Sequence, residues 1–319
     1  MHVSVVLATY NRAPSLEKTL ASFSNLVYPR NLELELLVVD NNSTDSTHQL
    51  VQGFCRSAAF CVRYLFEKRQ GKSSALNHGI SIAQGEIVAF TDDDVLLHPD
   101  WLANLIGTFE RFDCSAVAGR VVPLWNHDRP EWLEIAGQQA VVNFELGDEI
   151  KVIRVPPLGA NSAFRRKVFA MHGRYRLDLG VSGTRHTITC EDTEFGLRLL
   201  NAGETIIYSP DAIVYHPVDP KRTTKKYFLD WYYYNGVSLT RTAGLPNFGA
   251  AYFGVPRWLY RELSADWIRW MLSVDRNRRF NCKLRTYRSA GKILESRRLS
   301  RAQTASGNTP VLQQQATSR

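Results

Sequence analysis

The sequence predicts an open, mostly parallel α/β sheet with its ligands held outside the carboxyl ends of the strands. Three observations lead there. Short apolar runs (Val3–Leu7, Leu34–Val39, Ile87–Phe90) alternate with segments whose apolar residues recur at helical spacing. Polar turns separate the two kinds of segment. Acidic residues stand where strands end: Asp40 after the second run, and Asp92, Asp93 and Asp94 just beyond the third.

In chain order, Val3–Ala8 reads as a strand, and the turn Thr9-Tyr10-Asn11-Arg12-Ala13-Pro14 follows. A helix then carries Leu16, Leu20 and Phe23 on one face, with Asn11 or Ser15 available as its cap. Strand Leu34–Val39 ends in Asp40, and Asn41-Asn42-Ser43-Thr44-Asp45 turns into a second helix. After a short strand, Val62–Phe66, the run Gly71-Lys72-Ser73-Ser74 opens a helix that Gly85 ends. Strand Ile87–Phe90 delivers the aspartates, Pro99-Asp100-Trp101 starts another helix, and Val117–Val122 is a further strand.

Between about residues 123 and 185 no period lasts, so loops and short strands are expected there. A helix over Thr189–Leu200, closed by Asn201-Ala202-Gly203, precedes strands Ile206–Tyr208 and Ala212–His216. Beyond Pro217 the chain turns basic and aromatic. Arg257–Leu272 reads as a helix with Leu259, Leu263, Trp267, Trp270 and Val274 on one stripe. Residues 301–319 are Gln-, Ser- and Thr-rich and are expected to be disordered. The expected organisation is a domain over 1–217, in a nucleotide-binding half (1–122) and an acceptor-side half (123–217). A basic helical extension over 218–300 and the tail follow.

At 319 residues, 44% hydrophobic and 22% charged, the composition is that of a soluble globular protein. The formal net charge of +8 is unevenly placed. Residues 257–319 hold 14 Lys and Arg against 4 Asp and Glu, a net +10, and the remainder is −2. That asymmetry suggests an anionic surface, membrane or nucleic acid, as partner. No stretch approaches the roughly 20 apolar residues of a spanning helix. The N-terminus enters a strand at once, which predicts no export. The five cysteines (55, 61, 114, 190, 282) show no paired metal spacing and read as reduced thiols of a cytosolic protein.

The aspartate triplet is the most informative segment. Desolvating carboxylates this close together is costly unless a cation is present. Alternation along extended chain points Asp92 and Asp94 to one side, forming a hard-oxygen site suited to Mg²⁺ or Mn²⁺ with a phosphate ester. His216, at another strand end, is either a packed residue or the third ligand. Asp40 either bonds a ribose or base edge or caps the next helix. Lys72 either lies in solvent at a helix start or meets a phosphate. Glu191, Asp192 and Glu194 fit a capping box begun by Thr189, or supply a general base. The first turn has neither G-x-G-x-x-G nor G-x-x-x-x-G-K-[ST], which argues against a dinucleotide fold and a P-loop ATPase.

Taken together, VSVVLATYNR (3–12), ELLVVDNNSTD (35–45), GKSSALNHGI (71–80), GEIVAFTDDDV (85–95), LGANSAFRR (158–166) and CEDTEFGLRLLNAG (190–203) resemble the inverting, nucleotide-sugar-dependent glycosyltransferases of family 2, over about residues 1–217. The resemblance implies the glycosyltransferase A fold. It implies that Thr9, Tyr10, Arg12, Asp40 and Lys72 line the nucleoside pocket. Asp92 and Asp93 would lie against ribose and diphosphate, Asp94 would be the principal metal ligand, and Asn161 would sit near the donor sugar. Asp192 would be the catalytic base, with Glu191 beside it. The Q-x-x-R-W motif of processive members is missing. Arg222 and Trp231–Tyr234 offer only a loose analogy, so a single addition is expected.

The expected activity is transfer of a sugar from a nucleoside-diphosphate donor, with uridine as the favoured base, to a sugar or lipid-linked acceptor. The segment 257–300 would touch an anionic membrane on its cytoplasmic side. Competing readings are a sugar-1-phosphate nucleotidyltransferase, an inactive sugar-nucleotide binder, or a basic nucleic-acid-binding protein. The last leaves the acidic body unexplained.

Overall fold

The structure, a computed structural model, describes residues 1–133, 140–182, 188–245 and 251–305. The chain forms two units. One comprises the residues up to Pro130 together with those from 140 to Thr223, and the other comprises Glu131–Leu133 with the chain from Thr224 onward.

In the first unit β1 (His2–Thr9), α1 (Ala13–Phe23), β2 (Glu33–Asp40), α2 (Thr47–Ser57), β3 (Cys61–Phe66), α3 (Lys72–Ile82) and β4 (Ile87–Thr91) follow one another as strand and helix in alternation. Then come β5 (Leu96–Leu97), α4 (Trp101–Arg111), β6 (Ala116–Leu124), β7 (Lys151–Ile153), β8 (Asn161–Arg165), α5 (Lys167–His172), α6 (Glu191–Asn201) and β9 (Ile206–Pro217). Among the described residues these strands make one nine-stranded sheet, ordered β3-β2-β1-β4-β8-β6-β9-β5, with β7 also paired to β9. The core pairs β3–β2, β2–β1, β1–β4 and β6–β9 are parallel, as the alternation predicts.

Alternation along the strands builds two cores. Val3, Val5, Leu7, Leu36, Val38 and Ala89 face Leu16, Leu20, Val51, Trp101 and Leu105 of α1, α2 and α4. Val6, Leu37, Val39, Val88 and Phe90 face Leu76, Ile80, Phe169, Phe195 and Leu199 of α3, α5 and α6. Covering both faces is what makes the strands read as continuous apolar runs. Each fully buried Leu or Phe contributes about 1.5–3 kcal/mol.

Several expectations change. Neither Asn11 nor Ser15 caps α1: the Ala13 amide is bonded instead by Asp45 of the next loop (3.0 Å). Thr189 forms no capping box. Helix α6 starts at Glu191 behind Cys190, whose φ is 73°, and Asp192 accepts from Thr193 and Gly159. Residues 206–217 are one strand rather than two, bent where its register with β6 shifts after Gly119. The strand β8 lies antiparallel between β4 and β6 inside a region that offered no period.

The second unit contains α7 (Lys225–Ala243), the paired strands β10 (Ala251–Tyr252) and β11 (Val255–Pro256), α8 (Arg257–Leu272) and α9 (Arg276–Ala305). Thr224 caps α7 by accepting from the Tyr227 amide. Trp132 lies edge-on between Phe228 and Phe280, with ring centroids 5.0 and 5.2 Å away. The expected stripe on α8 is divided. Leu259 is buried and Leu263 packs with it, beside Val255 and Ile293, whereas Trp267 and Val274 are exposed. Residues 301–305 of the expected disordered tail belong to α9, and 306–319 lie outside the described residues.

Helices α7 and α9 approach through Gly236 and Gly291. A Cβ at Gly236 would overlap the Arg288 carbonyl, and one at Gly291 that of Tyr233. In a free helix Gly→Ala gains about 0.8–1 kcal/mol. Here overlap with backbone reverses the sign, and we expect Gly236→Ala to destabilise by about 1–3 kcal/mol. The midpoint of urea unfolding checks this, and a midpoint shifted upward would refute the tight crossing.

Candidate active site

The strand order reverses between β1 and its neighbours. The chain goes from β1 to β2 on one side and returns through β4 on the other, opening a crevice at their carboxyl ends. Because Leu7 pairs with Thr91, Thr9 and Arg12 come to lie beside the aspartates that follow β4. Just past the triplet, Leu96 pairs antiparallel with Tyr215. That long-range pairing brings Asp94 against His216.

The three aspartates differ in their sets of partners. Asp92 Oδ1 accepts from Lys72 Nζ (2.7 Å), and the same ammonium is 3.5 Å from Glu191. Asp93 is buried and accepts from Thr9 Oγ1 (2.7 Å) and Arg12 Nη1 (3.1 Å). Asp94 accepts from Arg12 (2.6 Å), with His216 Nε2 at 3.4 Å and Arg222 at 3.7 Å. Burial pushes the Asp93 carboxyl up to about 6 against the pull of Arg12, and neighbouring Asp94 adds to the rise. Burial likewise pushes Glu191 up to about 7 despite Lys72. For Asp92 burial is outweighed by Lys72, and its pKa ends below the ordinary carboxylate value. Burial alone would lower Lys72, but Asp92 and Glu191 offset it and its pKa ends above the ordinary value.

Asp92, Asp94 and His216 each present a ligand atom, all within 4.8 Å of one another. His216 Nδ1 lies 3.2 Å from the Pro217 carbonyl, which can only accept. A proton carried on Nδ1 can be donated to that carbonyl, which would leave the Nε2 lone pair for a metal ion. Two carboxylates and one imidazole suit Mn²⁺ or Mg²⁺.

Asp192, at the start of α6, has Oδ2 held by the Gly159 amide (2.9 Å) and Oδ1 by the Thr193 amide (2.6 Å). Asp40 is buried and bonds the Ser43 amide and the Tyr64 hydroxyl, both at 2.8 Å. It therefore holds the turn after β2 from within, and Tyr64 is a partner that sequence reasoning missed. Tyr10 is exposed at the rim. Arg222, which the sequence offers only as a loose analogy, is set near Asp94 by the short helix Pro220–Thr223 after β9. No local pattern marks it.

Asn161 is wholly buried, with Oδ1 accepting from Trp101 Nε1 and Nδ2 donating to the Arg120 and Ala212 carbonyls, each at 2.8 Å. With these groups engaged inside the protein, Asn161 rivets β8, β6 and β9 together.

The family model described as "Glycosyl transferase family 2" matches residues 4–173. The chain is 30% identical over 225 residues to succinoglycan biosynthesis protein ExoM of Rhizobium meliloti, covering 70% of this chain and 69% of that one. It is 31% identical over 242 residues to the glucosyl-dolichyl phosphate glucuronosyltransferase of Haloferax volcanii, covering 72% of each. Among solved structures, mannosyltransferase PcManGT of Pyrobaculum calidifontis, in complex with GDP-Man and Mn²⁺, shares the fold with a TM-score of 0.56 at 22% identity, covering 97% of this chain and 76% of that one. TarS of S. aureus in complex with UDP gives 0.52 at 17%, covering 96% and 92%.

Two outcomes are expected. A carboxyl raised in the folded state stabilises fully below its unfolded pKa and loses that contribution as pH rises through its folded value, here between about 4.5 and 7 for Glu191. Glu191→Gln should therefore raise the melting temperature of the ligand-free protein near pH 8 and not near pH 4.5, compared by calorimetry. Asn161→Ala should destabilise by about 1–3 kcal/mol or more, because it strands buried partners. Unchanged chemical denaturation would return Asn161 to the ligand-facing surface.

Proposed function

The chain belongs to glycosyl transferase family 2, and from that membership we propose an inverting, metal-dependent enzyme that adds one sugar from a nucleoside-diphosphate sugar to a lipid-linked acceptor. The observation that carries this reading is the meeting of Asp92, Asp94 and His216 at strand ends, with Lys72 bridging to Glu191 beside Asp192. Solved relatives of the same fold hold GDP-Man with Mn²⁺ or UDP, which supports a nucleotide-sugar donor. We take uridine as its base. The glucuronosyltransferase relative acts on a glucosyl-dolichyl phosphate by its name, which supports a lipid-linked acceptor.

In the proposed reaction the acceptor hydroxyl attacks the anomeric carbon from the face opposite the leaving diphosphate, so one displacement inverts the centre. Asp192, its orientation fixed by two backbone amides, takes the hydroxyl proton as the new bond forms. Lys72, Arg12 and Arg222 supply positive charge where the diphosphate departs. Asp92, Asp94 and His216 would hold the divalent ion, which when bound neutralises charge growing on the leaving oxygens. Asp93 holds Arg12 and Thr9 in place. Among the described residues no helix is long and apolar enough to cross a membrane. We infer peripheral work at the cytoplasmic membrane face, supported by the net +10 of residues 257–319.

A panel of nucleotide sugars screened for Mn²⁺-dependent thermal shift tests the donor class, and no shift with any member would defeat the reading. Asp192→Asn should keep donor binding and lose turnover by roughly 10²–10⁴-fold. Near-normal turnover removes Asp192 from the chemistry. Asp94→Ala should abolish the Mn²⁺-dependent part of nucleotide affinity, and calorimetric titrations with and without the metal that match wild type would count against the ligand set.

A further inference from the structure

The corner between α8 and α9 exposes apolar side chains in unusual density. Over residues 267–274, Trp267 is 50% exposed, Ile268 48%, Met271 52%, Leu272 76% and Val274 96%. They lie close together, since Met271 and Leu272 stand one turn beyond Ile268 on α8 and Val274 is in the link that follows. The stripe's proximal residue, Leu259, is buried instead, so the helix cannot lie flat with the whole stripe in an apolar phase. Only its distal end is presented.

The charges around the corner are almost all of one sign. Arg276, Arg278 and Arg279 flank it and are exposed, and Arg269, also exposed, is paired with the buried Asp266 (3.2 Å). The exposed acid, Asp275, is engaged in starting α9, accepting from the Arg278 amide at 2.6 Å. We propose that this corner is a membrane-inserting wedge: Leu272, Val274, Met271 and Ile268 enter the acyl boundary of an anionic leaflet while the arginines bind its phosphate headgroups. A second copy of the chain is the poorer occupant, because corner-to-corner contact would bring two cationic patches together. The inference rests on the peripheral reading above and names the element responsible for it.

The test is co-sedimentation of the full chain with vesicles of phosphatidylcholine, alone or mixed with phosphatidylglycerol. Wild type should bind the mixed vesicles, more weakly as salt rises. Leu272→Glu/Val274→Glu should weaken that binding at least about tenfold, and Arg278→Glu/Arg279→Glu similarly, since each arginine near an anionic leaflet is worth about fivefold. Leu272→Ala/Val274→Ala, which adds no charge, should lose less. Circular dichroism and the nucleotide-sugar thermal shift should stay unchanged in all three, so that failure of the wedge and failure of the transferase reading are told apart. The wedge is overturned if wild type ignores mixed vesicles, if the glutamate variant binds them equally, or if sedimentation velocity reveals a dimer that the variant abolishes.

Discussion

Three adjacent carboxylates drawn into a crevice dictate much of this protein's architecture. Left alone they repel, and burial raises the cost of ionising each one. The fold answers by bringing cations from distant parts of the chain. Arg12 comes from the turn after β1, Lys72 from the start of α3, and Arg222 from beyond β9. The balance is uneven: Asp92 ends below the usual carboxylate range and Asp93 above it, although they are neighbours in sequence. The differing partners account for that split. Asp92 accepts from the Lys72 ammonium at 2.7 Å, with Glu191 farther from it at 3.5 Å, whereas Asp93 shares a guanidinium with Asp94.

The scaffold keeps these groups in register by means that are largely structural. The loops after β1 and β2 are knitted together: Asn11 accepts from the Thr44 amide and donates its own to Ser43, while Asp45 bonds Ala13. The segment after α5 is tied to α3, with Ser73 donating to the Leu179 carbonyl and Asn77 to that of Tyr175. Asn161 fixes the antiparallel strand on which the other half of the sheet hangs. A buried amide with both ends used costs little while its partners stand and a great deal once one is lost. Residues of this kind look like ligand contacts in a sequence motif, because both roles call for the same polar side chain.

The second unit is held by a different logic. Its helices cross through glycines, and its buried acids are each paired: Glu295 with Arg241 and Arg298, Asp266 with Arg269 and Arg285. Part of the positive charge of this region is thus paired with buried acids. What remains outward gathers where α8 turns into α9, beside the most exposed apolar residues of that helix.

Sequence alone determined the alternating parallel half, because a strand buried on both faces must be an apolar run and a helix over it must repeat at helical spacing. It also determined the acids at strand ends, since Asp92 and Asp94 follow directly from the period of extended chain. It could not decide what depends on distant pairing. The strand β8, with the polar run Asn161-Ser162, takes its place only because β4 and β6 lie on either side. Which internal partners Asn161 and Asp40 take up, and which half of the α8 stripe is covered, were decided by tertiary contact. Side-chain chemistry fixes what a residue can bond, and only the folded chain fixes which partners come within reach.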